Sequence, residues 1–202
     1  MIHLQIDELF SASIDLAQIK YAAEIALHHQ SVPSDAALTI IITGDDQIQE
    51  LNQRFLGIAS PTDVLSFPSG EKDPDSNAVY LGDIIISFPR AQAQSRQGGH
   101  AVKSELQLLT VHGVLHLLGY DHATADEKRR MWSAQTEILA KIDCPHSPCI
   151  PLSVLKPSPS DTPFPAGGMS SEPSATPGYM PSLALSSSPF LFGCGSHSGT
   201  GR

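Results

Sequence analysis

The sequence predicts one domain of mixed strands and helices over residues 1–143, followed by a disordered tail over residues 144–202. Three observations carry that expectation. Short runs rich in β-branched residues are interleaved with stretches whose apolar residues recur at helical spacing. Hydrophobic residues make up 41% of the 202, a little under the roughly 45–50% of globular domains, a norm that also counts glycine. Near residue 143 the chain turns into CPHSPCIPLSVLKPSPSDTPFPAGGMSSEPSATPGYMPSLALSSSPF, rich in Pro, Ser and Gly, which buries too little apolar surface to offset its ordering entropy.

IHLQI at the start reads as a short strand. DLAQIKYAAEIALHHQ follows, with Leu16, Ile19, Ala23 and Leu27 at helical spacing. ALTIIIT is a β-branched run and therefore a strand buried on at least one face. GDDQIQELNQRFL reads as a helix with Asp45 or Asp46 as its N-cap. TDVLSF and YLGDIIIS are strands, and the polar PSGEKDPDSN between them suggests a hairpin. Pro89 opens the helix PRAQAQSRQ, which Gly98 and Gly99 end. A longer helix spans about Ala101 to Leu118 and stops at Gly119. The last helix, about Thr124 to Lys141, opens with Thr124 and Glu127 in a capping-box pattern.

The formal net charge is −9. In the tail Lys156 and Arg202 cancel Asp161 and Glu172, so the folded part carries all of it. That balance lowers the expectation of nucleic-acid binding, which usually needs a basic surface, and leaves room for a local basic groove. MIHLQIDELF lacks the basic end and apolar run of a secretory signal. The longest apolar runs fall far short of the roughly 20 residues that span a bilayer. Cys144, Cys149 and Cys194 form an odd, sparse set, which argues against a disulfide framework and fits a reducing cytosol. A cytoplasmic location is expected.

The densest chemistry lies in VHGVLHLLGYDH, residues 111–122. His112 and His116, four apart on a helix, project from one face. Gly119 lets the chain turn through a left-handed conformation, which can bring His122 back to the other two. Three neutral imidazoles with an open fourth position make a catalytic zinc site. The pattern coincides with the metzincin layout H-E-x-x-H-x-x-G-x-x-H at each ligand and at the glycine, a zincin-like three-histidine site. Zinc is the first choice of metal for it, and nickel, copper and iron share the donor chemistry. The first two histidines sit among apolar residues, where an unpaired imidazole is costly.

Gly113 stands where a zinc peptidase carries the glutamate that takes a proton from the attacking water. Asp121 is one candidate base, although a carboxylate there more often orients a histidine. A phosphodiester suits a centre without a carboxylate base, because its charge develops on phosphoryl oxygens that a metal stabilises directly. CPHSPC, with Cys144, His146 and Cys149, reads as a chance cluster, and DEKRR at 126–130 as the solvated face of the last helix. Ser66 and Asp63 lack any G-x-S-x-G context for a hydrolase triad.

HGVLHLLGYDH resembles the signature of the YbeY endoribonuclease family, also called the rRNA maturation RNase family. PTDVLSFP at residues 61–68 and LGDIIIS at 81–87 match it too, in the same order, and the resemblance covers about residues 1–142. It implies an α+β fold with a mixed, roughly four-stranded sheet and packed helices. It implies one zinc ion held by His112, His116 and His122. It also implies a single-strand-specific, metal-dependent endoribonuclease acting in 16S rRNA 3′-end maturation and ribosome quality control. The implied partners are ribosomal RNA, the small ribosomal subunit and assembly factors, with neither DNA nor a membrane. Leu56 departs from the pattern, because the family often has an arginine there, and leucine cannot clamp a phosphate. Two other readings share the metal: a zinc-containing ribosome assembly factor without nuclease activity, which needs a fourth protein ligand, and a zinc peptidase or amidase, which needs a carboxylate within reach of the attacking water.

Overall fold

The computed structural model describes residues 1–72 and 78–142; the tail, with its CPHSPC cluster, lies outside the described residues. Four strands, β1 (Ile2–Ile6), β2 (Ala37–Thr43), β3 (Val64–Lys72) and β4 (Val79–Ser87), form one sheet in the order β1-β2-β4-β3. β1, β2 and β4 run parallel, and β3 pairs antiparallel with β4. The sheet is therefore mixed and four-stranded, the expected α+β class. The parallel pairs need crossovers, and helix α1 (Leu16–His29) supplies the one from β1 to β2.

Alternation along the strands divides the interior in two. Leu38, Ile40, Ile42, Val64, Ile84 and Ile86 belong to the main core, which α1, α4 (Val102–Leu117) and α5 (Ala125–Ile142) cover. Leu65 and Ile85 join Ile48 of α2 (Asp45–Leu56) in a smaller cluster, with Leu51, Leu56 and Phe67 packed around it. Leu56, the departure from the family pattern, thus serves as an apolar filler. Arg54 holds its guanidinium 5.4 Å above the exposed Phe55 ring.

Several expected details shift. α1 buries Ile19, Ala22, Ala23 and Ala26, whereas Leu16 stays exposed in the first turn and Leu27 is half-buried. Asp45 and Asp46 lie inside the first turn of α2, and Gly44 is the N-cap. There the two carboxylates favour the positive end of the helix dipole, and Asp45 accepts a hydrogen bond from Ser87. β3 continues past Phe67 to Lys72, so half of the expected turn is strand. Pro68 is tolerated because β3 is an edge strand. Its register shifts between Pro68 and Glu71. Opposite Pro68 lies Gly82, with φ +130°, where a Cβ would sit 2.0 Å from the Phe67 carbonyl oxygen.

α3 (Phe88–Gly98) is capped by the Ser87 hydroxyl, with Pro89 in its first turn and Gly99 left-handed at its end. α5 opens on the expected capping box: Glu127 accepts from the Thr124 N–H at 2.9 Å, and Thr124 Oγ1 accepts from the Glu127 N–H at 3.3 Å. DEKRR is solvated. α4 is buried on nearly every side from Glu105 to Leu117, the mark of a central helix. Among the described residues no helix is long and apolar enough to cross a membrane.

Candidate metal centre

The end of α4 builds the site. Leu118 caps the helix and Gly119 follows with φ +84°. The Gly119 N–H bonds to the His116 carbonyl and the Tyr120 N–H to the Leu115 carbonyl, each at 3.0 Å. These are the two bonds of a Schellman motif, and the left-handed residue between them is one that glycine adopts without a steric penalty. The chain reverses there and brings His122 back beside His112 and His116. One ligand atom from each of the three lies within 4.8 Å of the others, an arrangement that could hold a metal ion. Among the described residues this is the one such group of His, Cys, Asp and Glu side chains.

Hydrogen bonding assigns the tautomers. His116 Nδ1 lies 2.9 Å from the Tyr120 carbonyl oxygen, which can only accept, so Nδ1 carries the proton. His112 Nδ1 is 3.1 Å from Gln135 Oε1 and donates likewise. Both Nε2 atoms then present lone pairs, and they face one another at 3.0 Å. A hydrogen bond between them would require one ring to set its Nδ1 lone pair against a carbonyl oxygen. His122 Nε2 is buried and has no hydrogen-bond partner among the described residues. Buried acceptors without donors are costly, and a shared cation removes the cost at all three. The donor set therefore fits a metal such as Zn²⁺.

Electrostatics favour the ligand form. Burial pushes the His112 imidazole down to about 4, against the hydrogen bond to Gln135, and His122 lowers it further. His116 is lowered to about 3, mainly by burial and then by the neighbouring His112 and His122 rings. Both are neutral at pH 7. Trp132 stands edge-on to His112 and His122, with ring centroids at 6.4 and 5.8 Å, and forms a wall of the site.

Gly113 has a packing reason. A Cβ there would point at the sheet and lie 2.6 Å from Ile84 Cγ2. Ser66 approaches the same point, its hydroxyl 3.4 Å from the Gly113 carbonyl. The position is where α4 rests on β3 and β4, so it has no room for a glutamate. Asp121 Oδ1 accepts the His122 backbone N–H at 2.7 Å, and its charge acts on the His116 imidazole against the lowering by burial. Asp63 accepts from the Val64 N–H and from Gln94 Nε2, each at 2.9 Å, and among the described residues no hydrogen bond joins Asp63 or Ser66 to a histidine, so no triad forms there.

The sequence reading missed Gln135, Trp132 and the Tyr120 carbonyl. Gln135 had a signal: Met131, Ala134, Ile138 and Leu139 are its companions on the buried face of α5. One amide in that apolar stripe calls for a partner. The Tyr120 contact is made by backbone and leaves no trace in side-chain pattern.

The model of the family described as Endoribonuclease YbeY matches residues 6–143. A protein named endoribonuclease YbeY from Saccharopolyspora erythraea is 45% identical over 125 residues, 58% of this chain and 68% of its own length. One of the same name from a Roseiflexus species is 41% identical over 145 residues, 68% of this chain and 90% of its own length. The solution structure of TM1509 from Thermotoga maritima superposes with a TM-score of 0.50 at 30% identity, covering 70% of this chain and 89% of that one. The chain belongs to the endoribonuclease YbeY family.

Proposed function

We propose that the chain is a zinc-dependent endoribonuclease that cuts single-stranded RNA in ribosomal RNA processing, acting in 16S rRNA 3′-end maturation and ribosome quality control. Family membership supports the nuclease reading. The observation that carries the metal dependence is the convergence of two lone-pair Nε2 atoms on a third histidine, whose buried Nε2 has no partner among the described residues. His112, His116 and His122 would hold one Zn²⁺. When bound, the ion supplies Lewis-acid stabilisation of a phosphoryl oxygen and acidifies a water molecule.

The chain's own residues prepare that site. Gln135 and the Tyr120 carbonyl keep the protons of His112 and His116 on Nδ1 and fix both rings. Outer partners of this kind raise ligand basicity and set orientation. Asp121 holds the loop through the bond from the His122 N–H to its Oδ1. Gly113 leaves the peptidase base position filled by Ile84, which favours a substrate whose developing charge lies on phosphoryl oxygens. The small ribosomal subunit and its assembly factors are the proposed partners, in the cytoplasm.

Cleavage of an RNA spanning the 3′ end of 16S rRNA, single-stranded or annealed to its complement, tests this with the full chain and His116→Ala. The wild type should cut the single strand, spare the duplex and lose cleavage in the variant. Equal cleavage by the variant, or an intact single strand with zinc-loaded wild type, would overturn it.

A further inference from the structure

We propose that Gln30 is a positioning residue of the metal centre, acting through Tyr120; this rests on the three histidines being the ligands. Gln30 lies 90 residues from Tyr120 in sequence and forms the C-cap of α1. Its Oε1 accepts the Tyr120 hydroxyl at 2.8 Å. Tyr120 is thus held at three points. Its N–H bonds to Leu115 and its carbonyl to His116 Nδ1, both within the end of α4. The ring packs against the main core, and of the three hydrogen bonds only the hydroxyl's reaches another element, tying the turn of residues 119–122 to α1.

The direction of this tie is set from further away. His29 Nε2 faces Glu137 Oε2 of α5 at 3.4 Å, a charge contact and not a hydrogen bond; that carboxylate favours a proton on Nε2, which leaves Nδ1 as the acceptor. Gln30 Nε2 donates to that Nδ1 at 3.1 Å, which turns Oε1 toward Tyr120. Two hydrogen bonds run in series, from Tyr120 to Gln30 and from Gln30 to His29, and His29 then faces the Glu137 carboxylate. Glu137 is two residues from Gln135, the partner of His112, so one helix ends this series and also orients a candidate ligand. If the Tyr120 hydroxyl loses its acceptor, the carbonyl that sets His116 and the turn that delivers His122 lose their outer anchor.

The test is metal binding by the full chain, measured as Zn²⁺ affinity by chelator competition and as the visible spectrum of the Co²⁺-loaded protein. Gln30→Leu and Tyr120→Phe should each weaken Zn²⁺ binding about 10-fold, the lower end for outer partners of a metal site, and alter the Co²⁺ spectrum. The double variant should bind no more weakly than either single one, because both remove the same bond. Gln30→Glu, which keeps the acceptor, should restore near wild-type affinity. Wild-type affinity and spectrum in Gln30→Leu and Tyr120→Phe would overturn the proposal, even if their melting temperatures fall. If Gln30→Leu does not fold, Tyr120→Phe alone decides it, since the ring still packs. A wild-type chain that takes up neither ion would overturn the ligand assignment itself.

Discussion

Gly113→Ala would put a methyl group 2.6 Å from Ile84 Cγ2, 3.1 Å from Cδ1 and 3.2 Å from Cγ1. Ile84 is fully buried. Its branch point is at Cβ, so Cγ2 moves only by a change of χ1 or a shift of β4. Overpacking of this kind costs roughly 1–3 kcal/mol. Exchanging glycine for alanine inside a helix gains about 1 kcal/mol. With all three contacts short, the net is a destabilisation of about 1–2 kcal/mol, or roughly 3–8 °C in Tm for a domain of this size. The sign reverses once the obstacle is gone. In an Ile84→Ala background, which itself costs about 2–5 kcal/mol, Gly113→Ala should be neutral or stabilising by up to about 1 kcal/mol. Urea unfolding followed by circular dichroism on the four proteins gives the coupling, expected near 2 kcal/mol. A stabilising Gly113→Ala in the wild-type background, with an additive cycle, would refute the claim that packing on Ile84 selects glycine.

Three further outcomes are expected. Gly82→Ala meets backbone at 2.0 Å in a φ +130° conformation, and should cost at least about 3 kcal/mol; a near wild-type Tm would contradict the bulge geometry. Gln135→Leu removes the acceptor of His112 Nδ1 and should weaken Zn²⁺ binding about 10- to 100-fold, so unchanged affinity in chelator competition would count against the tautomer assignment. Acid should destabilise the metal-free protein through the histidines: His112 and His116 fall from 6.5 to about 4 and about 3 on folding, so between pH 6.5 and those values the unfolded chain binds more protons. Their stability contribution is full above pH 6.5 and declines below it, by up to about 1.4 kcal/mol per pH unit for each. Glu105, raised by burial, acts in the opposite direction from 4.5 upward, so the histidine part is read as the difference between wild type and His116→Gln. Parallel pH profiles for the two would refute it.

Much of the fold was legible because local pattern and final environment agree. ALTIIIT and YLGDIIIS are β-branched runs that end up as the two central strands. The three histidines were legible because a helix places residues four apart on one face and Gly119 announces the turn. What stayed hidden depends on tertiary distance. Gly113 looks like a lost base until Ile84 is placed under it. β3 reads as ending at Phe67, before Pro68, and only its edge position explains why it continues. Gln30 and Tyr120 are 90 residues apart and give no local sign of their bond. Gln135 lies between these cases, a polar residue whose burial is periodic but whose partner is on another helix.

The central claim is a metal held by three imidazoles with its fourth position open to substrate. X-ray absorption at the zinc edge on the purified full chain tests it most directly. Three nitrogen scatterers at about 2.0–2.1 Å and one oxygen are expected, lost in His116→Ala. A sulfur scatterer at about 2.3 Å, or a fourth protein nitrogen, would mark a closed structural site and contradict the nuclease reading.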